Sequence, residues 1–328
     1  MQQTNGAHIL AAENLTKSYD GKLALRGLTF SLQAGHIMGF LGPNGAGKTT
    51  AIRILTTIFE PTSGQFYVDG ISSADPEKIR RKIGVLPESL GFPKGMTGVE
   101  FLSYFGQHYG HKPAAAKEKA MALLREVGLA EKGDAEIGTY SRGMRQRLGI
   151  ARALVNDPVV VFLDEPTLGL DPRGEVELLA LVRRIASERS AGVIFCSHLL
   201  TEVEGLCDDV VILREGQIVT AGTVRDVVEQ SNRNMIRIRS LGEHIPAARQ
   251  ILTGLPGIAA VSANGGKSDT LEMHIESRIV RNSPEDAQLK NHILSSLLQA
   301  GVPVLNFDAD SGSRLQDIFF QLTEEPRS

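Results

Sequence analysis

Ile37-Met38-Gly39-Phe40-Leu41-Gly42-Pro43-Asn44-Gly45-Ala46-Gly47-Lys48-Thr49-Thr50 is the stretch from which the rest of the chain can be read. Five residues without a charge end in a glycine-rich loop, and the pattern beyond the loop predicts a helix from about Thr49 to Phe59. Gly42 to Thr49 matches GxxxxGK[ST] between a predicted strand and a predicted helix, which is the context that this motif requires. Glycines let the backbone curl until several N–H groups face one anion. The start of the helix adds a partial positive charge. Lys48 supplies a cation for the β and γ phosphates, and the Thr49 hydroxyl is a ligand for Mg²⁺. The motif implies nucleoside triphosphate binding and does not say which kind.

Working outward, Val159-Val160-Val161-Phe162-Leu163 is apolar throughout, as are Val193-Ile194-Phe195 and Val210-Val211-Ile212-Leu213. Such runs read as strands buried on both faces. Separated by helices, they predict a largely parallel sheet with helices packed on it. Asp164-Glu165 ends the first of these runs. Neighbours on a strand point to opposite sides, so one carboxylate reaches Mg²⁺ and the other faces the attacking water. Asp164 is assigned to the metal and Glu165 to general base or water positioning. Read alone, the pair is equally the start of a loop; the upstream phosphate loop decides for chemistry. His198 follows the strand Val193–Ser197. A lone histidine is commonly structural, but the carboxyl ends of parallel strands face the ligand, so a γ-phosphate contact is expected. Tyr19 precedes the turn Asp20-Gly21, and is either an adenine-stacking ring or ordinary packing.

Between about residues 91 and 156 the pattern turns helical. Ala120, Leu123, Leu124 and Val127 share one helix face, and Met144, Leu148, Ala151 and Val155 another. This reads as a helical subdomain inserted into the sheet domain. Near Gln230 the character changes again. Met235–Arg239 alternates like a half-exposed strand, and the order of segments to Leu322 is β-α-β-β-α-β, which predicts a small ferredoxin-like domain. Asn264–Ser268 reads as a turn. The expected domains are therefore 1–230 and 231–328.

The chain of 328 residues is comfortable for two domains. With 42% apolar and 22% charged residues it has the composition of a globular protein. A net charge of -3 leaves no basic surplus of the kind a general nucleic-acid binder carries, so no nucleic-acid partner is expected. Cys196 and Cys207 form no metal-ligand cluster and read as free thiols in a reducing compartment. Met1–Asn5 lacks the basic and apolar regions of a signal peptide. No apolar run approaches the ~18 residues of a membrane span, so any membrane role is expected to need a partner.

Taken together, residues from about Ile9 to Val228 resemble the ATPase subunits of ABC transporters. Gly42 to Thr50 is similar to their phosphate loop, and Tyr19 stands where the family stacks an aromatic on adenine. Tyr140-Ser141-Arg142-Gly143-Met144, followed by Arg145-Gln146-Arg147, resembles the signature LSGGQ and its basic continuation. Val160–Pro166 resembles the Mg²⁺ strand with the catalytic glutamate, Leu170-Asp171 the loop that crosses the dimer, and His198 the switch histidine. The resemblance implies an α/β P-loop NTPase (RecA-like) core with an ABC helical subdomain, binding ATP and Mg²⁺. It implies two subunits packed head to tail, with Ser141 and Gly143 of one reaching the γ-phosphate held by the other. A separate multi-spanning permease would hold the chain on the cytoplasmic face of the membrane.

Two motifs depart from the pattern. Arg142 and Met144 replace a glycine and a glutamine of the signature. Glu88 stands where the family has a glutamine that senses Mg²⁺ and the membrane partner. Both departures resemble a bacterial export branch related to drug-exporter ATPases. Leu90–Phe105 is a candidate docking surface or plain core, and Leu315–Thr323 resembles the closing helix of an accessory domain in that branch. Long coiled coils, zinc modules and a second ATPase domain, which mark soluble relatives acting on ribosomes, are absent from the sequence.

Overall fold

The computed structural model describes residues 8–89, 91–232, 235–263, 269–276, 279, 283–308 and 315–323. Met1–Asn5, Leu90 and the turn expected at Asn264–Ser268 lie outside the described residues.

The chain begins with two long strands, β1 (His8–Tyr19) and β2 (Lys22–Gln33), joined where Asp20 and Gly21 take φ of 48° and 81°. β3 (Ile37–Leu41) is buried along its whole length and runs through the glycine loop into α1 (Lys48–Leu55). The helix is shorter than the pattern predicts. Thr56 Oγ1 donates back to the Ile52 carbonyl at 2.7 Å, and Thr57 turns left-handed at φ 62°. The amides of Ile58 and Phe59 then both bond the Arg53 carbonyl. Hydroxyl competition for helix carbonyls, with crowding by successive β-branched residues, ends the element there.

β4 (Ser63–Val68) and β5 (Ile71–Ser72) complete an antiparallel sheet in the order β2-β1-β4-β5. α2 (Pro76–Arg80) leads into β6 (Ile83–Leu86). Then comes the helical insertion, α3 (Gly98–His108), α4 (Pro113–Glu126) and α5 (Arg142–Ala153). α3 starts on a reciprocal cap: Thr97 Oγ1 accepts from Glu100 N–H at 3.2 Å, and Thr97 N–H donates to the Glu100 carboxylate at 2.8 Å. Ala116, Ala120, Leu123 and Leu124 form the buried stripe of α4.

β7 (Val160–Asp164), α6 (Pro172–Arg189), β8 (Gly192–Cys196), α7 (Leu200–Leu206), β9 (Asp209–Arg214) and β10 (Gln217–Thr223) return the chain to the main sheet. Its six strands run β10-β9-β3-β8-β7-β6. Every pairing is parallel except β9 with β10. One core joins the two sheets and α1: Phe30 and Phe40 meet at 5.2 Å between ring centroids, among Leu10, Ile54, Phe66 and Phe162.

The chain divides into two units after Val224, with the residues from Phe319 onward counted with the first. α8 (Val224–Asn232) precedes β11 (Met235–Ser240), α9 (Ile245–Thr253), β12 (Ile258–Ala263), β13 (Thr270–Ile275), α10 (Pro284–Gln299), β14 (Val304–Asp308) and α11 (Leu315–Thr323). The second unit has the β-α-β-β-α-β order and an antiparallel sheet β12-β13-β11-β14. It has its own core of Ile236, Ile238, Leu271, Met273, Ile293 and Leu297.

Candidate functional site

Parallel strands deliver all their carboxyl ends to one edge of a sheet. Here β3 delivers Gly42–Thr50, β6 delivers Glu88, β7 delivers Asp164 and Glu165, and β8 delivers Ser197 and His198. These residues line one cavity of about 700 Å³, together with Ala24 and Cys196.

The loop is shaped for an anion. Gly47 caps α1 at φ 105°, and a Cβ there would lie 2.9 Å from the Ala24 carbonyl oxygen and 2.7 Å from Leu25 Cδ2. Only glycine fits both the angle and the space. The first amides of α1 have no intrahelical acceptor and carry the positive end of its dipole. Lys48 Nζ donates to the carbonyls of Gly42 at 2.5 Å and Pro43 at 3.2 Å. Burial holds the Lys48 ammonium below its ordinary pKa, against the opposing pull of Cys196, Glu165 and Asp164.

Opposite the loop the charge is negative. Burial, then the charges of Glu165 and Glu88, push the Asp164 carboxyl above its usual range, while Lys48 and Arg53 pull it down. Crowded carboxylates of this kind are relieved by a divalent cation. Thr49, Asp164 and Glu88 offer the hard oxygen donors that Mg²⁺ takes. No group of three or more His, Cys, Asp or Glu suited to a metal occurs among the described residues. Phosphate oxygens would have to complete such a site, as is usual for Mg²⁺ with nucleotides.

Glu165 takes a left-handed φ of 49°, and its amide donates to the Cys196 carbonyl at 2.9 Å. A non-glycine residue held there costs on the order of 1–3 kcal/mol, and such strain collects at functional sites. The turn aims the carboxylate at His198, whose Nδ1 lies 2.7 Å from Glu165 Oε2. Cys196 and Cys207 are both free and buried. Burial is the main cause that raises both thiol pKa values, Cys196 the more so for the nearby Asp164.

The other expected residues lie elsewhere. Ser141 Oγ caps α5 by accepting the Met144 amide at 3.2 Å. Ser141, Gly143 and Asp171 line a second cavity of about 560 Å³, which shares no lining residue with the first. Tyr19 is 41% exposed, outside the lining of the first cavity, with its ring edge-on to Phe59 at 6.2 Å. In the segment Leu90–Phe105, Phe101 is buried against Phe92 while Tyr104 is 60% exposed.

Three contacts that the sequence does not announce hold the loop between β7 and α6. Gln146 Nε2 donates to the Pro166 carbonyl at 2.8 Å. Thr167 Oγ1 donates to Glu202 at 3.0 Å. The Arg142 guanidinium lies over Gly169, where a Cβ would come within 2.4 Å of Arg142 Cζ. The hydrophilic side chains involved resemble any solvated helix face until the fold brings them to the loop.

The sequence of the ABC transporter family matches residues 25–168. The daunorubicin/doxorubicin resistance ATP-binding protein DrrA of Streptomyces peucetius is 31% identical over 325 residues, covering 98% of this chain and 94% of its own. The Nod factor export ATP-binding protein I of Ralstonia nicotianae is 30% identical over 317 residues, covering 96% and 94%. The solved structure of cbiO1 from Clostridium perfringens, part of the ABC transporter complex cbiONQ, is similar with a TM-score of 0.63 at 26% identity, over 76% of this chain and 96% of that one. With relatives matched along nearly the whole length and a sheet edge furnished for a nucleotide, the chain belongs to the ATP-binding subunits of ABC transporters and is an ATPase of that family.

Proposed function

We propose that this ATPase powers an exporter, as a head-to-tail dimer attached to the inner face of the membrane through a separate multi-spanning permease. The observation that carries this reading is the division of the site. One cavity holds the phosphate loop with the carboxylates, and a different one holds Ser141, Gly143 and Asp171. Two copies packed head to tail would place each second cavity over the other's first. ATP would then join the copies, and its hydrolysis would release them, which is the differential affinity that a switch needs. Relatives named for drug resistance and Nod factor export favour export. No helix among the described residues is long and apolar enough to cross a membrane, so the spanning part falls to a partner.

In this reading Lys48 and the loop amides bind the β and γ phosphates, and Tyr19 stacks on adenine. Thr49, Asp164 and Glu88 hold Mg²⁺, which when bound neutralises phosphate charge. Glu165 orients the attacking water and takes its proton. His198 contacts the γ-phosphate, and its Nδ1, 2.7 Å from the Glu165 carboxylate, fixes the angle of Glu165. Ser141 and Gly143 of the second copy close over the γ-phosphate. The C-terminal domain expected at 231–328 serves as an accessory domain, and nucleic acid plays no part.

Glu165→Gln is the test. The variant should bind ATP as the parent does, hydrolyse it about 10²–10⁴-fold more slowly, and elute as an ATP-dependent dimer in size-exclusion chromatography. Hydrolysis at the parental rate would overturn the catalytic assignment.

A further inference from the structure

Glu202, on α7, is the buried charged residue nearest the reaction that the scheme above leaves unused. It is 3% exposed. Its Oε2 accepts from Ser197 Oγ at 2.6 Å and from Thr167 Oγ1 at 3.0 Å. Both hydroxyls are themselves buried, at 2% and 5% exposure. Thr167 stands two residues after Glu165, and Ser197 directly before His198. One carboxylate oxygen therefore ties together the two backbone segments that carry the Glu165–His198 pair. Ser197 Oγ extends the tie by accepting the Leu199 amide at 3.0 Å, on the far side of His198.

We propose that Glu202 is a positioning residue for ATP hydrolysis, a buried carboxyl that locks the loop after Glu165 to the strand end that carries His198. The proposal rests on the reading that this pair acts in hydrolysis.

The second oxygen defines the state of the group. Glu202 Oε1 is buried and has no hydrogen-bond donor in reach. A carboxylate there would leave charge on an unsatisfied buried oxygen, which is costly. A neutral group in place of that oxygen would remove the cost. Burial is the main cause that pushes the Glu202 carboxyl above its usual range; Ser197 and Thr167 pull it down, and the charge and hydrogen bond of Glu175 raise it again.

This chemistry makes the conservative variant informative. In Glu202→Gln the amide oxygen accepts both hydroxyls, and no charge is left on the buried position that Oε1 occupies. That variant should keep kcat within about twofold of the parent. Glu202→Ala removes the tie. Its kcat should fall at least about tenfold, toward the roughly hundredfold cost of misplacing a catalytic group by 1 Å, while KM for ATP stays unchanged. If the alanine variant fails to fold, Thr167→Val and Ser197→Ala each remove one arm at nearly constant volume and should each lower kcat alone. An alanine variant with parental kcat, a glutamine variant as slow as alanine, or a loss confined to KM would overturn the proposal. Glu165→Gln is assayed alongside. If it is inactive and the Glu202 series is silent, only the positioning role fails. If it turns over like the parent, the catalytic reading itself fails.

Discussion

Gly169 and Arg142 show how much one residue can be asked to do. Gly169 holds φ 71° beneath the Arg142 guanidinium, so a side chain there meets both backbone strain and a neighbour. The two costs are separable, because Arg142 is exposed and has room to swing away. Gly169→Ala should destabilise by about 1–2 kcal/mol from the left-handed backbone. In an Arg142→Gly background the same change should cost nearly as much, with a coupling below about 0.5 kcal/mol by urea denaturation. A larger coupling would mean that the arginine is pinned on the loop. Arg142 was visible in the sequence as a departure from the family signature, but its seat on Gly169 was not. Glu202 was hidden more deeply. It stands in Thr201-Glu202-Val203-Glu204, where nothing marks one glutamate as buried, and its partner Thr167 is 35 positions away. The phosphate loop was legible because its chemistry is local, and Asp164-Glu165 as an acidic pair at a strand end; that a left-handed turn after the strand, and not strand alternation, aims Glu165 was not legible.

Among the elements, continuous apolar runs such as Val160–Leu163 and Val193–Phe195 announced the buried parallel strands plainly. The antiparallel strands β1 and β2 were not read. Their register shifts at several points, and the resulting burial pattern has neither the period of a clean strand nor that of a helix. The ends of elements carry stability of their own. Asp157, in the turn between α5 and β7, holds φ 45° and pairs with Lys119 of α4 and with Arg189 of α6, the latter at 3.1 Å. Partial burial pushes its carboxyl up, but the hydrogen bonds and charges of Lys119 and then Arg189 outweigh it, and the net pKa lies below the usual range. A carboxylate depressed in the folded state stabilises it above the unfolded pKa, and that contribution is lost as pH falls through the folded value. Asp157→Asn keeps a residue tolerant of the left-handed turn but removes the charge. It should cost no more than about 1 kcal/mol at pH 7, since Asp157 itself is largely exposed. The gap to the parent should close below about pH 4. Melting curves at stepped pH check both the size and the closing of the gap.

At the scale of the whole molecule, the division of the site between two cavities makes a prediction about mixtures. On the proposed reading Lys48→Ala disables the phosphate loop and Ser141→Arg blocks the signature, so each variant should be inactive alone. In a mixed head-to-tail dimer the two lesions fall on the same composite site and leave the other intact. Equal amounts combined should recover roughly a quarter of parental activity if sites act independently, because half the dimers are mixed and each has one good site. No recovery, with each variant shown to fold and to enter mixed dimers, would exclude independent sites shared between copies. Met235–Arg239 alternates as a half-exposed strand should, and β11 lies there. The burial of Cys196 and Cys207 has a practical consequence for such work. A buried thiol with a raised pKa reacts slowly with maleimides, so the native chain gives a low background for labelling. A single cysteine introduced at exposed Val176 would carry a dye with no need to remove the natural pair. Fluorescence transfer between two dyed copies would then follow association and release in real time, turnover by turnover.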